Sequence, residues 1–244
     1  MDSTPTSALA PKSVDPGRGV SWWSDAWAIF MKNPLIWVVL GLINIVIFLV
    51  LAFIPLLGSI AAALLAPVFV AGWMQAARKV DAGGTLEVGD LFSPFQSASL
   101  SPLVILGALL LGASIVVAVV AFLLGAGAVM GMVMGGGHAS SAGVAAAMGT
   151  GLVTMLLCFV LGFALAMAFW FAPGLVLFRG TPPLDALKAS FSASLKNIWP
   201  FLLYGIVYLI AAVVASIPIG LGWFVLVPVL MLTIYVSYKD VFEL

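Results

Sequence analysis

Few side chains in this sequence could do chemistry, and their spacing keeps them apart. The one histidine, His138, follows Gly135-Gly136-Gly137, and the one cysteine, Cys158, lies between Leu156-Leu157 and Phe159. A zinc site built from Cys and His alone needs at least three such ligands, and one thiol makes no intrachain disulfide. With no second histidine, thiol or acid nearby, His138 reads as a solvated loop residue, and Cys158 as a small apolar side chain. Asp81, Glu87 and Asp90 share a short stretch with Arg78 and Lys79. They suit a divalent cation or a partner's basic patch, and equally a solvated loop whose charges keep it out of a bilayer. Gly125 and Gly127 begin a dinucleotide-loop pattern, but Met130 stands where the third glycine belongs and no strand precedes it. No acid, base, nucleophile or metal set converges, so neither catalysis nor a cofactor is expected.

The elements around these residues explain the scarcity. Of 244 residues 64% are hydrophobic and 7% charged, against about 25% charged in soluble domains. A soluble enzyme, a nucleic-acid binder and a disordered chain are thereby excluded. The charges are grouped, and three stretches between the groups carry none: 33–77, 91–178 and 197–238. A helix needs roughly 20 apolar residues to cross about 30 Å of hydrocarbon. The first and last stretches are each about twice that length and are divided by turn residues, Ile54-Pro55-Leu56-Leu57-Gly58-Ser59 and Ile217-Pro218-Ile219-Gly220-Leu221-Gly222. Each reads as a helical hairpin. The middle stretch has room for two, three or four spans. Its apolar runs at about 103–124 and 152–176 flank a Gly- and Ala-rich centre, so it is read as two spans joined by an outer loop over 125–151. The fold class expected is all-α: a polytopic membrane protein with six transmembrane helices in three hairpins.

Six spans put Lys12, Arg18, Lys32, Arg78, Lys79, Arg179, Lys188, Lys196 and Lys239 on one side, and leave the opposite loops without a basic residue. Lys and Arg bias in short loops sets orientation, so both termini are expected in the cytoplasm. Residues 1–19, rich in Ser, Thr and Pro and lacking an apolar core, read as a disordered tail rather than a signal peptide. Residues 20–244 form a single transmembrane domain.

No ionisable residue sits centrally in a span, and such residues are the usual pointers to proton relays and coupled transport. Among the neutral polar groups, Asn44 lies mid-span in the first helix, and Tyr204 and Tyr208 share one face of the fifth. An interhelical hydrogen bond joining them is expected. Pro67, Pro173 and Pro228 lie in or near the returning helices, where they free backbone carbonyls. That gives kinks, or a substrate site at unwound turns. Gly127, Gly131 and Gly135 form a ladder that suits either a packing face or a flexible tip.

Ahead of the first span, Trp22, Trp23, Trp27 and Phe30 mark an amphipathic segment, with Trp23, Trp27 and Phe30 at helical spacing. Trp favours the headgroup region, so Trp22, Trp23 and Trp27 read as interfacial anchors on a helix lying in the membrane plane. A cytoplasmic extension of span one is the other reading. The arrangement recurs: Lys32, Ile54-Pro55, Pro67 and Arg78 are matched by Lys196, Ile217-Pro218, Pro228 and Lys239, and Leu187, Phe191 and Leu195 precede the last hairpin at helical spacing. A looser copy runs from Asp90-Leu91-Phe92 through Pro173-Gly174 to Arg179. The repeat units are about 20–80, 88–179 and 183–240. Each is a short interfacial amphipathic helix followed by a hairpin, and all start on the same side, so a pseudo-threefold bundle is expected.

Gly17-Arg18-Gly19-Val20-Ser21-Trp22-Trp23, Ala26-Trp27-Ala28-Ile29-Phe30 with Asn33-Pro34, the Ile54–Gly58 turn, Asp90-Leu91-Phe92 and Ser237-Tyr238-Lys239-Asp240 resemble a family of uncharacterised proteobacterial inner-membrane proteins. The chain is also distantly similar to the membrane domain fused to some glycerophosphodiester phosphodiesterases. The resemblance implies six spans in a bacterial inner (cytoplasmic) membrane and brings no catalytic motif. The function expected is non-catalytic, in assembly, envelope maintenance or interaction with membrane lipids and other membrane proteins. The alternative is a transporter or lipid-handling protein for an uncharged or amphiphilic substrate, with Asn44, Tyr204 and Tyr208 lining a cavity on the bundle axis.

Overall fold

The computed structural model describes residues 10–134 and 141–243, with side chains for 10–125 and 148–243. Among the described residues the regular structure is helical: α1 (Arg18–Lys32), α2 (Pro34–Ala52), α3 (Leu57–Asp81), a 3₁₀ segment (Val88–Gln96), α4 (Leu100–Met134), α5 (Ser141–Trp170), α6 (Ala172–Arg179), α7 (Pro183–Lys196), α8 (Ile198–Ser216) and α9 (Trp223–Tyr238), which runs into a π turn (Lys239–Glu243). Among the described residues six helical stretches are long and apolar enough to cross a membrane: Pro34–Ala52, Leu57–Asp81, Leu100–Gly125, Met148–Arg179, Ile198–Ser216 and Trp223–Glu243. This is an all-α polytopic membrane protein.

Local chemistry sets the boundaries. Pro34 opens α2, where a missing N–H costs nothing and the fixed φ favours a helix. The hairpin turns fall at the expected residues, with φ of 62° at Leu56, 54° at Ile219 and 80° at Gly220. The 3₁₀ segment starts with a reciprocal cap between Glu87 and Asp90. The middle hairpin departs from expectation, because backbone helix continues through most of 125–151. Ala and Met hold a helix well, and backbone groups near hydrocarbon must be satisfied internally. At 35 residues, α4 is about 52 Å long, so it outruns the hydrocarbon. His138 and Gly135 lie outside the described residues.

Each hairpin is preceded by a short element, and that element packs on the hairpin of the preceding unit. The 3₁₀ segment rests on α3, α7 on α5 and α6, and α1 closes the ring on α8 and α9. Three seams of different construction hold the ring. At Gly19 a Cβ would sit 1.9 Å from the Pro200 carbonyl oxygen, and at Gly72 a Cβ would sit 2.1 Å from that of Leu91. The third seam is a hydroxyl: Phe171 N–H donates to Ser190 Oγ (3.0 Å), which donates to the Met167 carbonyl (2.8 Å). Ser190 thus sits inside the i→i−4 ladder between Met167 and Phe171, and with Pro173 two residues on it breaks α5 from α6.

The returning helices carry the core. Pro67, Pro173 and Pro228 are all buried, and at Gly174 the side chains of Met74 (α3) and Tyr238 (α9) close on the α6 backbone. Trp37 and Trp73 stack at 5.7 Å. At the termini side Phe242 packs on Phe171 and Tyr238. Residues 10–15, within the stretch expected to be unstructured, have no regular secondary structure but are tied down. Asn197 accepts from Val14 N–H and donates to the Lys12 carbonyl, and Lys12 N–H donates to the Val241 carbonyl.

Candidate functional site

The expected polar trio is not assembled. Tyr204 is buried and its hydroxyl lies 3.0 Å from Thr233 Oγ1 on α9. Tyr208 is half-buried one turn further along α8, and Asn44 Oδ1, on α2, is buried with no hydrogen-bond partner among the described residues. The axis expected to hold a cavity is filled where Met74, Gly174 and Tyr238 meet. Side chains there are drawn together because all three returning helices need a covered face.

The opening lies instead between α8 and α9. A groove of about 560 Å³ is lined by Ala211, Val214 and Ala215 of α8, by Val225, Leu226 and Val229 of α9, and by Pro218 and Gly222 of their turn. Trp23, Ser24 and Trp27 of α1 form its floor. Its two ends are fixed. At the turn a Cβ on Gly222 would lie 2.5 Å from Ala215 Cα, so the helices touch. At the floor Trp23 stacks on Tyr204 at 5.0 Å, and the Tyr204–Thr233 bond ties α8 to α9. Between these points the α8 side chains are too small to fill the seam.

The tryptophans divide their roles. Trp23 and Trp27 meet the groove, and Trp27 is 46% exposed. Trp22, expected beside them, is fully buried. Its indole N–H donates to Asp240 (2.9 Å) and its ring packs edge-on against Phe201. One position along a helix turns a side chain by 100°, and here that carries it from the bilayer flank into the core. On α7 the apolar stripe and the fully buried face are different sets of residues. Ala186, Ser190, Ala193 and Ser194 are buried, while Leu195 is exposed and Phe191 borders on it. Small residues face the bundle because close approach requires them, Leu187 packs against the core beside them, and Phe191 and Leu195 face outward.

On the opposite flank of α1 lies a second, charged cleft of about 280 Å³, lined by Arg18, Asp25, Ala28, Ile29, Lys32, Asp81, Tyr235, Val236 and Lys239. Arg18 bridges Asp25 (3.0 Å) and Asp240 (2.5 Å), and its hydrogen bond to Asp240 is the main cause that raises its pKa. Asp81 accepts from Lys239 Nζ (2.7 Å) and from the Tyr235 hydroxyl (2.9 Å). The three loop acids therefore do not converge: Asp81 is held by α9, and Asp90 caps the 3₁₀ segment and pairs with Lys79 (2.9 Å). Among the described residues no group of three or more His, Cys, Asp or Glu is placed to hold a metal. Asp240, Thr233 and Ser190 organise these features, and their partners, 222, 29 and 19 residues away, are not readable from local spacing.

Residues 21–240 match a family described as a domain of unknown function, DUF7847. The chain belongs to this family. The DUF7847 match begins within α1 and ends at Asp240, so Trp23 and Trp27, the α8–α9 groove and all of the charged cleft except Arg18 fall inside it. A probable inner membrane protein of Burkholderia thailandensis is similar, at 29% identity over 208 residues, which covers 83% of this chain and 76% of that protein. No solved structure matches.

Proposed function

We propose that this DUF7847 protein is a non-catalytic, lipid-binding protein of the bacterial inner membrane, acting in assembly or envelope maintenance alongside other membrane proteins. The groove between α8 and α9 carries this reading, because its walls are apolar and its floor holds tryptophans suited to headgroup depth. A volume of about 560 Å³ falls within the range of small-molecule sites. An acyl chain gains no hydrophobic free energy by leaving one apolar medium for another. Retention in the groove therefore rests on fit along α8 and α9 and on the ring of Trp27 beside the glycerol region. Inner-membrane placement is supported by the similarity to the probable inner membrane protein of Burkholderia thailandensis. The distant likeness to the membrane domain fused to some glycerophosphodiester phosphodiesterases belongs to the same proposal. A lipid-handling role is the second reading, favoured because the groove runs from α1 to the opposite turn.

Ala211→Phe fills the groove from a half-buried position and should leave stability within about 1 kcal/mol. Protein carrying it, purified in mild detergent, is expected to retain several-fold less bound phospholipid by native mass spectrometry. Equal retention in the variant and the parent would sink the proposal.

We also infer that both termini are cytoplasmic, which rests on the one-sided placement of the nine Lys and Arg residues. A periplasm-active reporter fused after Gly143 should be active, and one fused after Val80 silent. The reverse pattern would invert the topology.

A further inference from the structure

We propose that the charged cleft beneath α1 binds a zwitterion in which a two-carbon linker joins a phosphate ester oxygen to a primary ammonium group, the chemistry of a phosphatidylethanolamine headgroup or of free phosphoethanolamine. This site lies on the flank of α1 opposite the groove and does not depend on it.

The cleft presents both signs of charge, from Arg18, Lys32 and Lys239 against Asp25 and Asp81. Most of these valences are already used within the protein. Arg18 is shared by Asp25 and Asp240, and Asp81 is engaged by Lys239 and Tyr235. Two remain. Lys32 makes no ion pair among the described residues; its ammonium donates only to the Val80 carbonyl (3.2 Å), at the C-terminal end of α3. An ammonium has three donors, so most of its capacity faces the cleft. Asp25 receives Arg18 on Oδ2, and its Oδ1 takes no hydrogen bond among the described residues.

Asp25 and Lys32 are seven residues apart on α1, two turns or about 10.5 Å along the axis. Between them lies Ala28, whose small side chain leaves the space open. Asp25 is paired with Arg18, and Lys32 acts at longer range on Asp81, but the hydrogen-bonding capacity they have left is opposite in sign and separated along the helix. A single ion meets only one of them, whereas a zwitterion can meet both. A phosphate set against Lys32 and an ammonium donating to Asp25 satisfy both at once, and each contact is a charge-assisted hydrogen bond. Placement is consistent with a headgroup, because the cleft lies along the helix that carries Trp23 and Trp27 at the interface. A quaternary ammonium has no N–H to donate to Asp25, and a glycerol headgroup has no cation at all.

The test uses the full chain in nanodiscs of equal phosphatidylethanolamine, phosphatidylcholine and phosphatidylglycerol, released for native mass spectrometry. Phosphatidylethanolamine should be retained about tenfold over the other two, as one charge-assisted hydrogen bond allows. Lys32→Met, which removes the charge, and Ala28→Leu, which keeps both charges but closes the space, should each abolish the preference, while Ala211→Phe should keep it. In discs of phosphatidylcholine alone, free phosphoethanolamine is titrated against tryptophan emission. A saturable response that Lys32→Met removes, without lipid preference, assigns the site to a soluble zwitterion and supports the same chemistry. Equal retention of the three lipids with no response to phosphoethanolamine overturns the proposal, as does a preference for phosphatidylglycerol. Loss of preference in Ala211→Phe alone would place the lipid in the groove, which leaves that reading standing and overturns this one.

Discussion

Gly72→Ala should destabilise the protein by about 2–3 kcal/mol, the upper part of the range for overpacking a well-filled site. The added methyl would lie 2.1 Å from the Leu91 carbonyl oxygen and 2.9 Å from its carbon. Both are backbone atoms of the 3₁₀ segment, so no rotamer change relieves the contact and α3 must part from its neighbour. Gly112→Ala is the matched control, since nothing lies within 4 Å of its Cβ. An alanine in an open helical position favours the helix by up to about 1 kcal/mol, so the two substitutions should differ in sign. Reversible unfolding in mixed micelles, followed by tryptophan emission, measures both. Equal effects would mean that the 3₁₀ segment does not rest on Gly72.

Ser190→Ala should cost about 2–3 kcal/mol, the penalty for leaving a buried donor unpaired. The hydroxyl is fully buried, accepts from Phe171 N–H and donates to the Met167 carbonyl. Without it, Phe171 N–H could recover a partner only by closing the ladder onto Met167, and the break before Pro173 opposes that. The Met167 carbonyl keeps Ser194 Oγ at 3.1 Å, so the loss falls mainly on the donor. Ser194→Ala should cost less than about 1 kcal/mol, because Ser190 still serves that carbonyl. The double variant should cost more than the sum of the two, since both hydroxyls serve one acceptor. Additive losses would show that the hydroxyls act independently and that Ser190 does not bridge the break.

How much of this was legible in advance depends on whether a feature is local or long-range. Charge-free stretches, turn residues at 54–59 and 217–222, and proline at the start of α2 act within a few residues of themselves. Each is readable without knowing what lies across the bundle. Six spans in three hairpins follow from them, because crossing hydrocarbon demands only length and apolarity. The small-residue face of α7 was hidden for the opposite reason. In a soluble helix the bulky apolar stripe faces the core, and in a helix with lipid on one side it need not. Leu187, Phe191 and Leu195 gave the periodic pattern, but of these Leu187 alone packs against the core, and Ala186 and Ser190 make the fully buried contact.

The same division applies to the candidate sites. Composition alone made a polytopic membrane protein inevitable and made ion-coupled chemistry inside the spans improbable, because a charge at that depth costs several kcal/mol. Tertiary structure decided which polar groups meet. Asn44, Tyr204 and Tyr208 are polar residues at similar depth, but depth does not fix rotation about a helix axis. Tyr204 turned to Thr233, a residue 29 positions away, and Asn44 Oδ1 has no partner among the described residues. Trp22 and Trp23 are adjacent in the chain, yet one is core and the other is groove, because α1 docks on α8 and α9 across the whole length of the sequence. Arg18 and Asp240, 222 residues apart, draw that ring closed. Sequence dictated the elements through short-range chemistry; the openings between them arose where helices from different repeats met with side chains too small, or charges too many, to fill the seam.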